Sequence, residues 1–325
     1  MLSDQVGISS RQPGRECDMN PVDRMTSVFR LGNERAYQEW RARKLASYPA
    51  HPGDLIVPIA DIAQPSETER QAIISACRRA NMAIFTTAAG GADKDGLCAF
   101  GHCFGLHRLD VNMYADEDGI TALQVSDMDR KRDYIPYTNR RLNWHTDGYY
   151  NTPGGWIRGF LLFCARDAAE GGENQLLDHE IAYILLRDAD PRFIEALMHP
   201  EAMTIPANIE SGVEIRAAET GPVFSVAADS GNLHMRYSAR TRNIHWRDDD
   251  LTRAAVTYLQ TLWETGSPYI YHYRLMPGQG VICNNVLHSR TAFRDDPATG
   301  QVRLMYRARY YDRIAGTDMI ASQVA

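Results

Sequence analysis

Apolar residues recur at helical spacing in several stretches of the chain, each bounded by residues that start or stop a helix. The predicted helices are Glu34–Tyr48, Ser66–Ala80, Asp93–Phe104, Asp178–Asp190, Arg192–Met198 and Asp248–Glu264. The second has the clearest start, because Glu69 follows the predicted N-cap Ser66 by three residues, the pattern of a capping box. Residues 1 to 25 show little periodicity, which predicts a loosely held arm.

Short apolar runs between turn residues predict many strands in the middle and C-terminal parts of the chain. The predicted strands are Leu55–Ile59, Met82–Thr86, Gly119–Val125, Leu142–His145, Trp156–Ala165, Tyr269–Leu275, Val281–Cys283 and Val302–Tyr311. Further short strands are predicted between residues 201 and 247. Helices before and between many short strands are typical of a mainly β fold with flanking helices, a sandwich or barrel, and not of alternating βαβ units.

Composition and charge narrow the class of protein. The chain has 325 residues, 44% hydrophobic and 23% charged, which is the balance of a soluble globular protein. Because the net charge is −6 and no basic run occurs, a nucleic-acid partner is not expected. The sequence contains no long apolar stretch and no signal-peptide pattern, so we expect a cytoplasmic protein without membrane contact. In that compartment its six cysteines would stay reduced.

A candidate metal motif lies in Asn143–Tyr150, where His145 and Asp147 are two residues apart. On an extended strand, residues i and i+2 point to the same face, so this imidazole and this carboxylate can bind one ion. The best candidate for a third ligand is His288, in the segment Val281–Phe293. Two histidines and one carboxylate, with the other coordination positions open, form the facial triad of non-haem Fe(II) oxygenases.

Each of these residues also has a plainer interpretation. Thr-Asp-Gly after His145 is good turn chemistry, and an isolated His-x-Asp is usually only a turn at a strand end. A histidine after Val-Leu, such as His288, is more often a hydrogen-bonded core residue. The metal hypothesis therefore depends on the combination, and on the place of His288 between an apolar strand and Ser-Arg-Thr-Ala-Phe.

Arginines occupy one face of the last predicted strand. Arg303, Arg307 and Arg309 alternate with apolar and aromatic residues, so they share a side of the strand. The plain interpretation exposes them to solvent, as is usual for arginine. In the functional interpretation the arginines point into a cavity that binds anions, because the planar guanidinium can bind a carboxylate through two hydrogen bonds.

These residues and their order resemble those of a known family. The segments that carry the resemblance are Asn143–Asp147, Gly171–Asn174, Pro277-Gly278, Leu287–Phe293 and Arg303-x3-Arg307. Together they resemble the taurine dioxygenase branch of the Fe(II)/2-oxoglutarate-dependent dioxygenases, and the segment around His288 is also similar to the gamma-butyrobetaine hydroxylases. The resemblance covers roughly residues 54 to 312 and is weakest over 175–270.

The resemblance implies a double-stranded β-helix (jelly-roll) core and assigns roles to individual residues. It implies a single catalytic domain over residues 51–325 with helical insertions, preceded by an N-terminal arm and helix over 1–50. It makes His145, Asp147 and His288 the Fe(II) ligands, while Arg303 would bind the distal carboxylate of 2-oxoglutarate. Asn174 stands where the taurine enzyme has a threonine that contacts 2-oxoglutarate, which is a departure from the pattern.

Substrate contacts follow in part from the same resemblance. Arg307 falls where the taurine enzyme binds the anion of its substrate. Asn143 and Tyr149 flank the metal motif and are further candidates. Tyr149, Tyr150 and Trp156 could form an aromatic cage for a quaternary ammonium group, or could simply pack in the core.

Three functions stay open at this point. The first is Fe(II)- and 2-oxoglutarate-dependent oxidation of a C–H bond of a small, anionic metabolite by O2, with release of succinate and CO2. The second is the same chemistry on a trimethylammonium substrate, and the third is a jelly-roll protein that only binds. Desaturation or cyclisation is an alternative to hydroxylation, a homo-oligomer is compatible with the sequence, and loops 126–141 and 201–220 are predicted lids.

One further cluster has metal-ligand chemistry. Cys98, His102, Cys103 and His107 include two residues that are adjacent, a spacing that fits no standard zinc finger. Because Leu97, Phe100 and Phe104 form an apolar stripe at helical spacing, we predict a helix packed on the core here.

Overall fold

A computed structural model describes residues 27–88, 92–110, 119–125, 135–210, 212–240, 242 and 244–319 of the chain. The predicted arm at 1–25 and the part of the first predicted lid at 126–134 lie outside these residues. The helices in the described ranges are α1 Glu34–Ser47, α2 Glu67–Ala80, α3 Lys94–Cys103, α4 His179–Ala189, α5 Pro191–Leu197 and α6 Asp250–Thr265.

Nineteen strands, most of them short, make up the rest of the regular structure in the described residues. They are β1 Ile56–Pro58, β2 Met82–Thr86, β3 Thr121–Leu123, β4 Leu142–His145, β5 Gly159–Arg166, β6 Glu170–Gly171, β7 Asn174–Leu177, β8 Met203–Ile205, β9 Asn208–Glu210, β10 Val213–Arg216, β11 Glu219–Gly221, β12 Phe224–Val226, β13 Leu233–Met235, β14 His245–Trp246, β15 Tyr271–Tyr273, β16 Gln279–Cys283, β17 Leu287–Arg290, β18 Phe293–Arg294 and β19 Leu304–Tyr310.

Two sheets form the centre of the molecule. The larger has six strands in the order β1-β2-β16-β5-β19-β3, and the smaller has four in the order β15-β7-β17-β4. Only the β1–β2 pair within these two sheets is parallel. The ring of Phe160 on β5 lies 4.8 Å from the ring of His288 on β17, so the two sheets face each other. This is the jelly-roll core with flanking helices that the resemblance implies.

The helices cover the outer faces of both sheets. Helices α2 and α3 pack on the larger sheet, where the rings of Phe85 and Phe100 are 4.7 Å apart. Helices α4, α5 and α6 pack on the smaller sheet, where Trp144 of β4 stacks on Trp263 of α6 with ring centres 4.6 Å apart. The interior between the sheets holds polar and apolar side chains together, among them His288 and Phe160.

The caps predicted from sequence form as expected. The Ser66 side chain accepts from the Glu69 backbone amide, and the Glu69 carboxylate accepts from the Ser66 amide at 2.6 Å. The five cysteines in the described residues are free thiols. No helix in the described ranges is both long enough and apolar enough to cross a membrane.

Strands β7 and β17 are the main elements that the sequence pattern missed. Both have only four residues and lack the alternation that marks a half-buried strand, because the interior between the sheets is partly polar. They pair with each other in the middle of the smaller sheet.

The predicted strand at Val302–Tyr311 corresponds to β19, but the arginines of this segment are not in solvent. Arg303, Arg307 and Arg309 are 4–8% exposed.

Candidate metal centre

The register of β4 and β17 brings two distant histidines side by side. His145 pairs directly with His288 across these antiparallel strands, and their ring centres are 4.2 Å apart. Asp147 follows in the turn after β4, with its Oδ1 3.8 Å from Nε2 of His145. One ligand atom from each of the three residues lies within 4.8 Å of the others. They form the only such group of histidine, cysteine and acidic residues in the described part of the chain.

Backbone carbonyls fix which nitrogen each histidine offers. Nδ1 of His145 donates to the carbonyl of Asn143 at 2.8 Å, and Nδ1 of His288 donates to the carbonyl of Val286 at 3.0 Å. With Nδ1 protonated and bonded, Nε2 is left with a free lone pair. Metal-binding histidines are usually oriented in this way.

Asn285 holds the backbone that carries Asp147, the carboxylate of the three. Its Oδ1 accepts from the amide of Asp147 at 2.8 Å, and its Nδ2 donates to the carbonyls of Asp147 and Ile157 at 3.0 and 2.7 Å. The backbone of Asn285 is left-handed, with φ +51°, which asparagine tolerates better than most residues. The segment before His288 is thereby tied to the turn that carries Asp147.

The electrostatics of the centre suit a cation. Burial lowers the pKa of His145 to about 3, with the neighbouring His288 adding to the effect, and burial lowers the pKa of His288 as well. Although burial alone would raise the pKa of Asp147, the guanidinium groups of Arg307 and Arg309 hold it below its usual range. Two neutral imidazoles and one carboxylate are the protonation states that metal binding requires.

One atom of Asp147 is suited to bind a metal ion. The Oδ2 atom of Asp147 is buried and has no hydrogen-bond partner among the described residues. A buried carboxylate oxygen left unpaired is costly, and a metal ion would remove that cost. Two imidazoles and a carboxylate match the ligand set of non-haem Fe(II).

A small pocket surrounds Arg303. Arg303, Asn174 and Gly172 line this cavity between β7 and β19. Burial lowers the pKa of Arg303 to about 10, which still leaves it charged at neutral pH. Its guanidinium makes no hydrogen bond or ion pair with the residues that the structure describes, and it lies over the face of Phe293 at 5.0 Å. Its charge is therefore available to an anion.

Arg290 reinforces the positive potential of this pocket. It lies over the same Phe293 ring at 4.7 Å, and burial together with the charge of Arg303 lowers its pKa to about 9. Its Nη2 donates to the carbonyls of Thr138 and Arg140, so Arg290 also stabilises the loop before β4. The sequence pattern alone did not identify Arg290 as a site residue. Its position two residues after His288, on the same face of a strand, could have indicated that it lies near the site.

The two arginines within β19, Arg307 and Arg309, already have partners in the protein. Nη1 of Arg307 lies 3.5 Å from Oδ1 of Asp147. Arg309 forms a close ion pair with Asp110 and donates to the hydroxyl of Tyr150 at 3.0 Å.

The remaining predicted site residues take different positions. Tyr149 stands edge-on to His145, with ring centres 6.5 Å apart, and Tyr150 stands edge-on to Tyr149 at 5.2 Å. Asn143 is exposed, and its contribution to the centre is the carbonyl that orients His145. The ring of Trp156 stacks on the ring of His234, with ring centres 4.6 Å apart.

The cluster at Cys98–His107 belongs to a helix packed on the core. Leu97, Phe100 and Phe104 are buried against the larger sheet as predicted. Sγ of Cys98 lies 3.7 Å from Nε2 of His102, but no converging group of three ligands occurs there among the described residues.

Known proteins share this fold and sequence pattern. Residues 43–309 match the family described as taurine catabolism dioxygenase TauD, TfdA family. A protein of Amycolatopsis sp named uridine-5'-phosphate dioxygenase is 34% identical over 171 residues. That match spans 50% of this chain and 60% of the Amycolatopsis protein, less than two thirds of its length.

Two solved structures have a similar fold at low sequence identity. An asparagine oxygenase in complex with Fe(II), 2S,3S-3-hydroxyasparagine and succinate has a TM-score of 0.54 at 13% identity, over 79% of this chain and 93% of that one. The non-haem iron oxygenase OrfP in complex with Fe, succinate and (3R,4R)-dihydroxy-L-Arg has a TM-score of 0.56 at 14% identity, over 81% and 85%. With the family match extending over most of the sequence, the chain belongs to the taurine catabolism dioxygenase TauD, TfdA family.

Proposed function

We propose that the protein is an Fe(II)- and 2-oxoglutarate-dependent dioxygenase that oxidises a C–H bond of a small, anionic metabolite. The observation that carries this proposal is the convergence of His145, Asp147 and His288 around one unpaired carboxylate oxygen. The buried guanidinium of Arg303, which forms no ion pair with the described residues, supports a dicarboxylate co-substrate. Family membership supports the same reaction.

Different residues would bind the metal ion and the co-substrate. His145, Asp147 and His288 would hold the iron, and Arg303 would bind the distal carboxylate of 2-oxoglutarate, with Asn174 beside it. Bound there, iron would supply the O2 chemistry that couples decarboxylation of 2-oxoglutarate, to succinate and CO2, to oxidation of the substrate. Arg290 raises the positive potential of the pocket, and Phe293 shields both guanidinium groups from water on one side.

An anionic substrate suits the charges around the centre better than a trimethylammonium group. Arg307 lies beside Asp147, Arg309 beside Tyr150, and the guanidinium of Arg216 lies over the ring of Tyr150 at 5.7 Å. Positive charges beside the tyrosines would repel a quaternary ammonium, while an aromatic cage needs electron-rich faces without competing cations. The name of the Amycolatopsis relative supports an anionic substrate, and makes uridine 5'-phosphate a first compound to test.

The test is turnover of 2-oxoglutarate without added substrate. Protein loaded with Fe(II) and supplied with O2, ascorbate and 2-oxoglutarate should release succinate slowly, and His288→Ala should abolish that release. A substrate screen, monitored by succinate, should then increase the rate with an anionic compound. If the wild-type protein binds Fe(II) but forms no succinate under any of these conditions, the binding-only alternative is favoured.

A further inference from the structure

A cavity lies among the helices, apart from the metal centre. Its walls come from α1, from α2 and the residue that ends it, from the first turn of α4 and from segment 313–319. Its volume is about 140 Å³, similar to that of a protein cavity that can hold benzene. The described residues that line it include none of the three candidate metal ligands and none of those around Arg303. It is therefore a separate site.

Basic side chains predominate in the wall of this cavity. Four of the lining residues are basic: Arg43, Lys44, Arg78 and Arg313. Lys44 is neutralised within the protein, because its Nζ lies 2.5 Å from the carboxylate of Glu180, which also lines the cavity, and 2.6 Å from that of Asp178. The three arginines form no ion pair with the residues that the structure describes. Arg43 and Arg78 are exposed, so the cavity opens to solvent on their side.

The C-terminal segment brings two of these arginines together. Nε of Arg78 donates to the carbonyl of Gly316 at 2.7 Å, and Nη2 of Arg313 donates to the carbonyl of Thr317 at 3.3 Å. Because Gly316 and Thr317 are consecutive, the two guanidinium groups are held at neighbouring positions on the cavity wall. Nη2 of Arg313 also donates to Oδ1 of Asn81 at 2.7 Å, while its Nε is buried and has no hydrogen-bond partner among the described residues.

Nearby acids leave the cavity with a small excess of positive charge. The carboxylates of Glu180, Asp318 and Asp178 oppose the lowering of the pKa of Arg313 by burial, although none of them forms an ion pair with it. Set against the four basic residues of the wall, these three acids leave one positive charge. A ligand with a single negative charge would balance it.

Another part of the wall is apolar. Trp40, Cys77 and Met319 line the cavity together with the basic residues. Ligand sites in proteins commonly combine apolar walls with a few polar groups that orient the ligand. Cations on one part of the wall and apolar side chains on another suit a ligand with one charged end and an apolar body.

We propose that this cavity binds a small organic acid through one carboxylate, held by Arg78 and Arg313, with its apolar part against Trp40 and Met319. A guanidinium group binds a carboxylate through paired hydrogen bonds, and Arg78 and Arg313 are already fixed by backbone carbonyls before any ligand arrives. A preorganised group of this kind loses little side-chain entropy on binding. The site does not depend on the proposed function, because it is separate from the metal centre.

Binding of benzoate tests the site directly. Calorimetry on the full chain, with Fe(II) and 2-oxoglutarate present and O2 excluded, should show that benzoate binds more tightly than benzamide, which has a similar shape and no charge. Arg78→Ala should weaken benzoate binding about 10-fold, the lower end of the loss for a charged hydrogen bond, because Arg78 is exposed to water. Arg78→Lys should recover part of the loss. Arg70→Ala is the matched control, since Arg70 lies on the same helix and pairs with Glu67.

A second variant separates charge from structure. Arg43 makes no hydrogen bond with the described residues, so Arg43→Ala removes a charge without removing a bond, and it should weaken benzoate binding by less than Arg78→Ala does. Equal benzoate affinity in wild type, Arg78→Ala and Arg43→Ala would overturn the site, and so would benzamide that binds as tightly as benzoate. Inorganic phosphate that binds more tightly than benzoate would overturn the assignment to an organic carboxylate.

Discussion

At the scale of single residues, Asn285 holds the backbone of the candidate metal centre without being one of its ligands. It is 3% exposed, and its side chain forms hydrogen bonds with the backbone of Asp147 and Ile157. Its neighbour Asn284 bonds instead to Asn81, Thr317 and the amide of Ile314. Two adjacent asparagines therefore have separable tasks, one at the metal centre and one at the C-terminal segment.

Replacing Asn285 with glycine should weaken metal binding. Glycine accepts the left-handed backbone of this position without strain, so the change removes only the side-chain bonds that position Asp147. Loss of such a supporting group typically reduces metal affinity about 10- to 100-fold. Titration with Fe(II) or Co(II) measures the effect directly, and Asn284→Ala should lower stability but leave metal affinity nearly unchanged. Equal metal affinities in Asn285→Gly and wild type would remove the positioning role.

Arg303 gives a second prediction at the same scale. We expect Arg303→Ala to raise the KM for 2-oxoglutarate by orders of magnitude while iron binding is retained, because the variant removes the free charge of the pocket and none of the metal ligands. Steady-state succinate formation against 2-oxoglutarate concentration, together with a metal titration, separates the two effects. Arg294→Ala is a matched control, since that arginine is exposed and paired with Glu170. An unchanged KM would assign the co-substrate to another cation.

At the scale of elements, the larger sheet depends on close approach of its central strands. Gly280 lies in β16, which pairs with β2 on one side and with β5 on the other. A Cβ atom at this position would lie 2.3 Å from Cζ of Phe85 and 2.8 Å from the carbonyl oxygen of Leu162. Because Leu162 belongs to a strand held in register on both sides, its backbone cannot move without breaking the sheet.

We therefore expect Gly280→Ala to destabilise the fold by roughly 1–3 kcal/mol, the cost of overpacking a well-packed interior. Urea denaturation of the two proteins would measure the difference in the free energy of unfolding. Gly154→Ala provides the comparison, because nothing lies within 4 Å of a Cβ built at Gly154. A Gly280→Ala protein as stable as the Gly154→Ala protein would mean that the strands can separate more easily than their register suggests.

At the scale of the whole molecule, several buried histidines are held neutral. Burial lowers the pKa of His234 to about 3 and also lowers the pKa of His179, neither of which is a candidate metal ligand. An unfolded histidine titrates near 6.5. Between about pH 6.5 and 3 the unfolded chain therefore binds protons that the folded chain excludes, so stability rises with pH in this range.

The fold should consequently lose stability as the pH falls from 6.5 toward 3 and keep it above 6.5. Each such histidine contributes a slope of up to about 1.4 kcal/mol per pH unit. Urea unfolding of metal-free protein at pH 7.5, 6 and 5 measures the slope, and His234→Gln should flatten it. His245→Gln, at an exposed position, should not. If the slope is the same in all three proteins, protonation of His234 does not contribute to the acid sensitivity.

The amino-acid sequence by itself determined the helices and their caps, the mainly β class, the ligand types of the metal centre and the basic character of the last strand. These features depend on spacing, turn chemistry and side-chain chemistry, which are local. Only the tertiary structure decided that His145 and His288 are opposite each other, because strand register depends on pairing between segments far apart in the chain.

The fate of the arginines was likewise decided by packing. A strand with arginines on one face can present them to solvent or to an interior. Which of the two occurs depends on whether a second sheet covers that face. Here the smaller sheet faces the larger one, and Arg303, Arg307 and Arg309 are buried. The contacts of Asn285 with the turn that carries Asp147 were also beyond the sequence. They depend on partners from another part of the fold, and burial and charge compensation exist only once the chain has folded around them.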